Sequence, residues 1–375
     1  MIDICCNVNT INTKEGDDLK ITMQIKLQPT KEERALLDFT MQEYISLVND
    51  ILDYAIASDI MPRLTSKTMI APLPSALKAQ CYVDAKSIYN KTLKHKSRLP
   101  VLKKPVAIWN NQNYTISDGY VAFPLFVNNK VTKTKIAAIV PQRVLDIAVT
   151  HKLGTLRITK KSDKYIAQIA YEVAEPTVKA DGNVMGIDLG IKCPAVAVTS
   201  SGKTKFYGNG RQNKQKRRKF AAKRKKLGKA KKLKAIKKSR NKEQRWMTDQ
   251  DHNISRAIVN DAVANGVKII KLEELSGIRQ SARTSRKNNH SLHSWSFYRL
   301  AKFIEYKAAL AGIEVVYVNP AYTSQTCPCC GKRNHANDRN YICSCGYHTH
   351  RDRLGAVITL PSQGLLSENL KRFFI

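Results

Sequence analysis

The sequence has no apolar run of about 18 residues, the length that a membrane-spanning helix needs. Its first residues, MIDICCNVNTINTKEGDD, do not follow the basic-then-apolar order of a secretory signal peptide. We therefore expect neither a membrane span nor export, and the protein should stay in a reducing compartment. Disulfides are rare there, so the nine cysteines need another interpretation.

Acidic residues are also scarce. The chain has 30 Asp and Glu against 64 Lys and Arg, which gives a net charge of +34. Such an excess indicates a polyanionic partner, and a nucleic-acid backbone is the usual one. Ribosomal and chromatin-type proteins share this bias, so charge alone does not indicate an enzyme. The hydrophobic fraction of 43% in 375 residues predicts a folded protein of two or three domains.

The first half of the chain changes character twice. Alternating apolar and polar residues over 20–29 predict a strand, and Thr30 followed by acidic residues predicts a helix start. Helical spacing continues to about residue 96, with a second helix in SALKAQCYVDAKSIYNKTL. Residues 97–175 contain short β-rich runs separated by turn residues, which predict a small β-barrel or sandwich. The helical block is then an insertion between the first strand and the rest of that domain.

The second half has an α/β pattern. Two strands are predicted in VMGIDLG and PAVAVTSSGKTKFYG, and they precede a very basic segment, 211–245, in which 19 residues are Lys or Arg and one is Glu. A charge run is often a solvated face or a tail. This run contains helical Ala and Leu and precedes the predicted helix DHNISRAIVNDAVANG, so we predict a helical pair that faces nucleic acid. A strand in VKIIKLEEL, a polar loop around SARTSRKNNHS, a helix in FYRLAKFIEYKAALAG and a strand in IEVVYVNP follow.

Five cysteines lie within 19 residues. Cys327 and Cys330 form a C-x-x-C pair, and Cys343 and Cys345 form a C-x-C pair; each pair is followed by a glycine suited to a tight turn. Four thiolates on two turns can close a tetrahedral site around a structural Zn²⁺. Cys329 is interpreted as a spectator that could substitute for Cys327.

The other histidines and cysteines that could be metal ligands are assigned no metal-binding role. We interpret three nearby histidines as surface or phosphate-contacting groups and four remaining cysteines as core or surface thiols; these are His335, His348, His350, Cys5, Cys6, Cys81 and Cys193.

Three acids stand where a nuclease would need them. Two-metal phosphodiester hydrolysis requires carboxylates that hold two divalent ions close together. Asp188 and Glu273 lie in apolar strands, where an unpaired acid is seldom tolerated unless it binds something, and Asp352 begins RDRLGAVITL just after the cysteines. Taken singly, each could instead be a cap or a salt-bridge acid. Glu274 points to the opposite side of its strand and is the lesser candidate.

Several motifs together resemble one family. They are GIDLG (186–190), LEEL (272–275), SWSFYRLAKFIEYKAALAG (294–312), NPAYTSQTCPCCG (319–331) and YICSCGYHTHRD (341–352), with KLQPTKEE and LPSALKAQCYVDAKSIYNKT nearer the N-terminus. The chain resembles TnpB, the insertion-sequence RNA-guided nuclease also known as the OrfB zinc-ribbon family, which is related to compact type V CRISPR effectors. The cysteine blocks are highly specific, whereas GIDLG alone is weak.

The resemblance implies a multidomain α+β fold. It implies a β-barrel wedge domain (1–30 and 97–180), a helical recognition domain (31–96), and an RNase H-like (RuvC) α/β nuclease domain (181–319 and 351–375) with an inserted zinc ribbon that binds target nucleic acid (320–350). Asp188, Glu273 and Asp352 match the family's three acids, which bind Mg²⁺ or Mn²⁺. The third acid precedes Arg353, Leu354, Gly355 and Ala356 rather than the Asn and two alanines of many members.

The implied activity is RNA-guided cleavage of DNA next to a short motif. The implied partners are a guide RNA and single- and double-stranded target DNA, with no membrane, in a prokaryotic cytoplasm or nucleoid. A nuclease-dead, RNA-guided repressor is one alternative, although the three acids are present. A DNA-joining transposase is another, although no Tyr with a His pair or differently spaced acid triad is evident. The protein sequence leaves open whether the guide comes from a transposon end or a CRISPR array.

Overall fold

The structure is a computed structural model that describes residues 19–174, 176–178, 181–276, 293, 295–336 and 338–360. The chain divides into two compact units, with the boundary after Ala174. Both units mix helices and strands, so the prediction of a mixed α/β multidomain protein is confirmed in this coarse form. Predictions on residues 1–18, with Cys5 and Cys6, on the loop SARTSRKNNHS and on residues 361–375 lie outside the described residues.

The first unit is a sheet with two inserted helices. Its elements are β1 (Leu19–Leu27), α1 (Lys31–Ala57), α2 (Ser75–His95), β2 (Val106–Trp109), β3 (Thr115–Ser117), β4 (Tyr120–Val127), β5 (Lys130–Ile139), α3 (Gln142–Thr150), β6 (Leu153–Lys161) and β7 (Lys164–Val173). The seven strands form one antiparallel sheet in the order β2-β6-β7-β1-β5-β4-β3. Strand β1 lies at its centre, so α1 and α2 are inserted between two strands of the same sheet, as predicted.

Helix α1 begins where its sequence signals it. The Thr30 hydroxyl accepts the Glu33 backbone N–H at 3.3 Å, and the Glu33 carboxylate accepts the Thr30 backbone N–H at 2.7 Å. This capping box satisfies two backbone donors that a helix end otherwise leaves open. Helix α1 then packs on α2, where the Tyr44 hydroxyl donates to Asp84 at 2.7 Å. The predicted helical block is interrupted between residues 58 and 74.

The predicted barrel or sandwich corresponds to a single curled sheet. The edge strands β2 and β3 are not hydrogen-bonded to each other among the described residues. The sheet is curved enough that Trp109 of β2 packs on Phe123 of β4, with ring centroids 4.7 Å apart. The Trp109 indole N–H donates to the Pro124 carbonyl at 3.1 Å, which satisfies a buried donor. The sheet is therefore a half-barrel.

The second unit is built on a five-stranded sheet. Its elements are β8 (Asn183–Asp188), β9 (Ala195–Thr199), β10 (Thr204–Tyr207), α4 (Gly210–Lys229), α5 (Leu233–Ala264), β11 (Val267–Glu273), α6 (Phe297–Ala309), β12 (Glu314–Val318), β13 (Asn340–Ile342), β14 (His348–His350) and α7 (Arg351–Ile358). The strand order is β10-β9-β8-β11-β12, and β13 pairs with β14 in a separate hairpin. The first three strands are antiparallel neighbours, whereas β8, β11 and β12 run parallel.

Two predictions of element boundaries in this unit were wrong. The run PAVAVTSSGKTKFYG is not one strand but the hairpin β9–β10, because Gly202 at φ 85° allows a turn after Thr199. The run DHNISRAIVNDAVANG is not a separate helix but the continuation of the basic helix α5, which extends over 32 residues.

The two faces of the second sheet are covered differently. On one face, Met185, Ile187, Ile270 and Leu272 join a buried cluster with α5 and α6. On the other face, Ala356 and Val357 of α7 pack with Val196 and Val198. The backbones of β8 and α7 approach each other closely at this point. Gly186 allows the approach, since a Cβ atom there would clash with the Ala356 carbonyl. Helix α7 therefore lies directly on β8.

Within the described ranges, no helix combines the length and the apolar composition that crossing a membrane requires.

Candidate metal centres and nucleic-acid surface

Two of the predicted acids lie side by side at one edge of the second sheet. Asp188 is the last residue of β8 and Glu273 is the last residue of β11. These strands are parallel neighbours, with Ile187 opposite Leu272. The carboxyl ends of parallel strands meet at the same edge of a sheet, which is where ligands of α/β folds commonly bind. The structure therefore brings Asp188 and Glu273 together.

The third acid reaches the same place from α7. Asp352 is the second residue of this helix, and its backbone N–H donates to the His350 imidazole Nδ1 at 3.3 Å. One turn later, Gly355 faces Asp188 so closely that a Cβ atom there would lie 3.0 Å from the Asp188 carboxyl carbon. Residues three apart on a helix share a face. Asp352 is therefore on the side of α7 that faces Asp188.

The electrostatics of Asp188 reflect this convergence. Burial raises the pKa of Asp188 well above its ordinary value, and the carboxylates of Glu273 and Asp352 raise it further. Arg351 and Arg339 act in the opposite direction. Like charges within reach of each other disfavour ionisation, and a cation among them relieves the repulsion. The three carboxylates thus form one interacting group.

Glu273 is buried, and its surroundings pull in two directions. Burial raises the pKa of Glu273, while the neighbouring Thr323 hydroxyl, which also donates to the Pro320 carbonyl at 3.1 Å, lowers it. Glu274, the lesser candidate, is exposed, and its carboxylate accepts the Ser276 backbone N–H at 2.9 Å. The two neighbouring glutamates therefore have different surroundings, and only Glu273 lies in the acid cluster.

Asp352 has a basic neighbour that the sequence did not reveal. The Arg339 guanidinium donates a hydrogen bond to the Asp352 carboxylate, and both side chains are partly buried. A charge-assisted pair of this kind neutralises one of the three acids. Arg339 precedes β13, so this contact comes from the cysteine-bearing segment 320–350, which we call the ribbon segment.

The three acids suit a hard divalent cation. Mg²⁺ and Mn²⁺ prefer carboxylate oxygens to nitrogen or sulfur ligands. Asp188, Glu273 and Asp352 offer oxygens from three separate elements. A bound cation would relieve the repulsion between carboxylates that raises the pKa of Asp188.

The four predicted cysteines form a compact cluster. Their Sγ atoms all lie within 4.8 Å of one another; the cluster consists of Cys327, Cys330, Cys343 and Cys345. The Sγ atoms of Cys327 and Cys345 are 3.6 Å apart, and those of Cys330 and Cys343 are 3.5 Å apart. Tetrahedral zinc with Zn–S bonds of about 2.3 Å needs sulfur–sulfur distances of about 3.8 Å. The cluster therefore fits a structural zinc ion.

The two turns that carry the thiols have the predicted geometry. Gly331 has φ 73° and Gly346 has φ 91°, values that favour glycine. The backbone N–H of Gly331 donates to the Cys327 carbonyl at 2.9 Å, and that of Gly346 donates to the Cys343 carbonyl at 3.0 Å. Cys329 is outside the cluster and packs beside it. In the part of the chain that the structure describes, no histidine belongs to the cluster.

Zinc content distinguishes the ligands from their neighbour. We expect about one zinc ion per chain in protein purified without chelator, and Cys330→Ser should lose it because three thiolates close the site poorly. Cys329→Ser is the matched control, since this thiol lies one position away and outside the cluster. Elemental analysis after gel filtration measures both. Full zinc in the Cys330 variant together with zinc loss in the Cys329 variant would reverse the assignment.

The basic segment is helical, as predicted, but it is divided between α4 and the first part of α5. Helix α4 and the first part of α5 carry the charge, and they are joined by an ion pair between Arg224 and Glu243. Helix α5 is anchored to α6 through Asp251, which binds Arg299 at 2.7 Å. Most of the basic side chains of α4 are exposed. A rigid, exposed surface of one sign suits a phosphate backbone.

Sequence reasoning missed the residues that contact the acids. Thr323, Arg339 and Gly355 were not singled out as site residues. Thr323 and Gly355 lie next to motifs that were noted, NPAYTSQTCPCCG and the segment after Asp352, so their position within those motifs was the available signal. Arg339 lies between the motifs and gave no signal beyond its charge.

Two known families match the chain between residues 168 and 358. Residues 168–279 match the OrfB_IS605 family, described as a probable transposase, and residues 297–358 match the family described as the Cas12f1-like TNB domain. A Cas12f1 CRISPR-associated endodeoxyribonuclease of Sulfoacidibacillus thermotolerans is 28% identical over 232 residues, which cover 56% of this chain and 54% of that protein. The TnpB-like protein MJ0751 of Methanocaldococcus jannaschii is 38% identical over 102 residues, which cover 27% of this chain and 36% of that protein.

A solved structure has a similar fold. The cryo-EM structure of a Cas12f1–sgRNA–target DNA complex matches with a TM-score of 0.68 and 16% identity, covering 89% of this chain and 84% of that one. In sequence, the matches to the curated relatives span about half of their length or less. The chain is therefore similar in sequence to TnpB-like and Cas12f1 proteins and in fold to a Cas12f1 protein, which confirms the family resemblance predicted from its motifs.

Proposed function

We propose that the protein is an RNA-guided DNA endonuclease. It binds a guide RNA derived from a mobile element and cleaves matching DNA, beside a short motif, by two-metal-ion phosphodiester hydrolysis. The convergence of Asp188, Glu273 and Asp352 at one edge of the second sheet is the observation that carries this proposal. The similarity to TnpB-like proteins and Cas12f1 endodeoxyribonucleases supports it.

The nuclease part is assigned to 181–319 and 351–375, with an RNase H-like (RuvC) core. Three antiparallel strands followed by two parallel ones, with acids at strand ends and on a late helix, support this assignment. Residues 320–350 form an inserted zinc ribbon that contacts target nucleic acid. In the first unit, 1–30 and 97–180 form the wedge domain and 31–96 the helical recognition domain.

Each acid has a defined part in this proposal. Asp188 and Glu273 project carboxylates from rigid strand ends, and Asp352 adds a third from the first turn of α7. When bound, Mg²⁺ or Mn²⁺ supplies an activated water and stabilises the leaving oxygen. The carboxylates would fix the positions of the ions. Cys327, Cys330, Cys343 and Cys345 would hold the structural Zn²⁺.

The nucleic-acid partners follow from charge. The exposed basic side chains of α4 and α5 would bind RNA phosphates, while sequence is read by base pairing between guide and target. The similar solved structure is a complex with sgRNA and target DNA, which supports both partners. A DNA-joining transposase is the second candidate, because the matching OrfB_IS605 family is described as a probable transposase.

The test is programmed cleavage. RNA that co-purifies with the protein is sequenced, its guide region is exchanged, and plasmids with a matching or a mismatched target next to a randomised flank are offered with Mg²⁺. We expect cutting of the matching plasmid only, for a subset of flanks. Cleavage that ignores the guide would contradict the proposal, as would joined DNA products, which would support the transposase.

A further inference from the structure

Helix α7, which carries Asp352, packs between the second sheet and the core of the ribbon segment. Its Ala356 and Val357 pack on the sheet, whereas Leu354 and Ile358 belong to a different buried cluster. That second cluster contains two of the zinc-site thiols together with Tyr341 and Tyr347; its thiols are Cys327 and Cys343. Leu354 is fully buried, so the core of the ribbon segment and the helix that carries Asp352 form one packed unit.

Polar contacts attach the end of the ribbon segment to the edge of the sheet. The Arg353 guanidinium donates to the hydroxyl of Thr204 in β10 at 3.1 Å and to that of Thr349 in β14 at 2.9 Å. The His350 ring meets Phe206 of β10 edge-on, with centroids 5.4 Å apart. The start of α7 is therefore fixed from both sides, and Asp352 has little freedom to move.

The second acid is held by the other end of the ribbon segment. Glu273 pairs with Val318 at the end of β12, and the chain then turns through Tyr322, which has φ 63°. In this turn the buried Thr323 hydroxyl donates to the Pro320 carbonyl at 3.1 Å, and its oxygen lies close enough to Glu273 to lower the pKa of that carboxyl. The turn is closed by the Thr326 backbone N–H, which donates to Tyr322 at 2.9 Å just before the first zinc-site cysteine.

We propose that the ribbon segment is part of the divalent-cation site, with Thr323 of this segment and Leu354 of α7, which packs on its core, as positioning residues that hold Glu273 and Asp352 in register with Asp188. Zinc loading at the cysteines and Mg²⁺ or Mn²⁺ binding at the acids are then coupled. The proposal rests on the proposed function, because it takes the three acids as cation ligands. Residues that orient metal ligands typically change metal affinity by about 10–100-fold when they are removed.

Cation binding tests this without nucleic acid. Free Mn²⁺ is titrated by electron paramagnetic resonance in wild-type protein, and Asp188→Ala identifies the binding that belongs to the acids. Leu354→Ala and Thr323→Val are each expected to weaken that binding by about 10-fold or more while zinc content stays unchanged. Ile342→Ala is the matched control, since this apolar side chain of the ribbon segment is 70% exposed.

Variants of Thr323 distinguish a positioning role of its hydroxyl from a general loss of folding. Thr323→Ser keeps the hydroxyl and should restore Mn²⁺ affinity, and Thr323→Val should have no further effect once Glu273→Gln has removed the carboxylate charge. If Leu354→Ala loses zinc or unfolds, the Thr323 series decides alone. Wild-type Mn²⁺ affinity in Thr323→Val would overturn the proposal, as would an equal loss in the Ser and Val variants.

The coupling itself has a separate readout. Zinc-free Cys330→Ser protein should lose Mn²⁺ affinity at the acids as Thr323→Val does, and unchanged affinity there would overturn the coupling.

Failure of the proposed function is distinguishable from failure of the inference. If wild-type protein and Asp188→Ala bind Mn²⁺ equally, the acids are not the cation site and the nuclease proposal fails; if only wild-type protein binds, that proposal stands whatever the ribbon variants do.

Discussion

Replacing Asp188, Glu273 or Asp352 singly by alanine is expected to reduce DNA cleavage by at least about 100-fold, the range seen when one preorganised electrostatic group is removed from an active site. Each acid supplies oxygens to a shared cation site, so losing one loses or displaces an ion. Binding of guide RNA and matching DNA should persist, because the basic helices lie elsewhere in the sequence. A cleavage assay and a binding assay on the same variants measure both.

Glu274→Ala is the control for these variants. It removes the same chemical group one position along the chain, but Glu274 is exposed and bonded to the Ser276 backbone. We expect cleavage within a few-fold of wild type. Full cleavage by Asp188→Ala would refute the assignment. Loss of cleavage in Glu274→Ala but not in Glu273→Ala would mean that the functional carboxylate lies on the other side of β11. Adding EDTA should abolish cleavage by every active variant.

Local signals in the sequence predicted local structure well. The helix start at Thr30 and the β-rich runs within 97–175 appear as predicted, because cap chemistry and short apolar runs between turn residues act over a few residues. The two cysteine pairs also converge as predicted, since spacing and trailing glycines dictate the turns. Candidate acids could be selected from the sequence because buried strands rarely carry unpaired charge.

Tertiary contacts decided what the sequence could not. Helix α3 was not predicted, since its nine residues include the β-branched Val144, Ile147, Val149 and Thr150, which favour strands. Packing of the buried Val144 overrides that preference. The curl of the first sheet depends on contacts between strands, such as that of Trp109 in β2 with Phe123 in β4. Thr323 and Arg339 meet acids 50 and 13 residues away, and no local pattern encodes such a contact.

Removing basic side chains from α4 is expected to weaken RNA binding strongly. Lys219, Lys223 and Lys226 are exposed and spaced by four and three residues, so they share one face of the helix. Among the described residues, none of the three forms a salt bridge. Replacing all three by glutamine removes three candidate phosphate contacts. In a plot of the logarithm of RNA affinity against the logarithm of salt concentration, the slope should then become less steep by about 2. Each phosphate contact on a single strand contributes about 0.7 to that slope.

At about 0.1 M salt the same arithmetic gives roughly a 100-fold loss of affinity. The matched control removes three other positive charges, Lys20, Lys152 and Lys205, which already face carboxylates of Glu172 or Asp261. Because two carboxylates already offset most of that charge within the protein, the loss of the three lysines should release few counterions and change the slope far less than the α4 variant does. Filter binding of the co-purified RNA between about 50 and 200 mM salt measures both variants. Equal losses in the two would mean that net charge alone attracts the RNA, whereas a flat wild-type profile would mean that α4 does not bind phosphates.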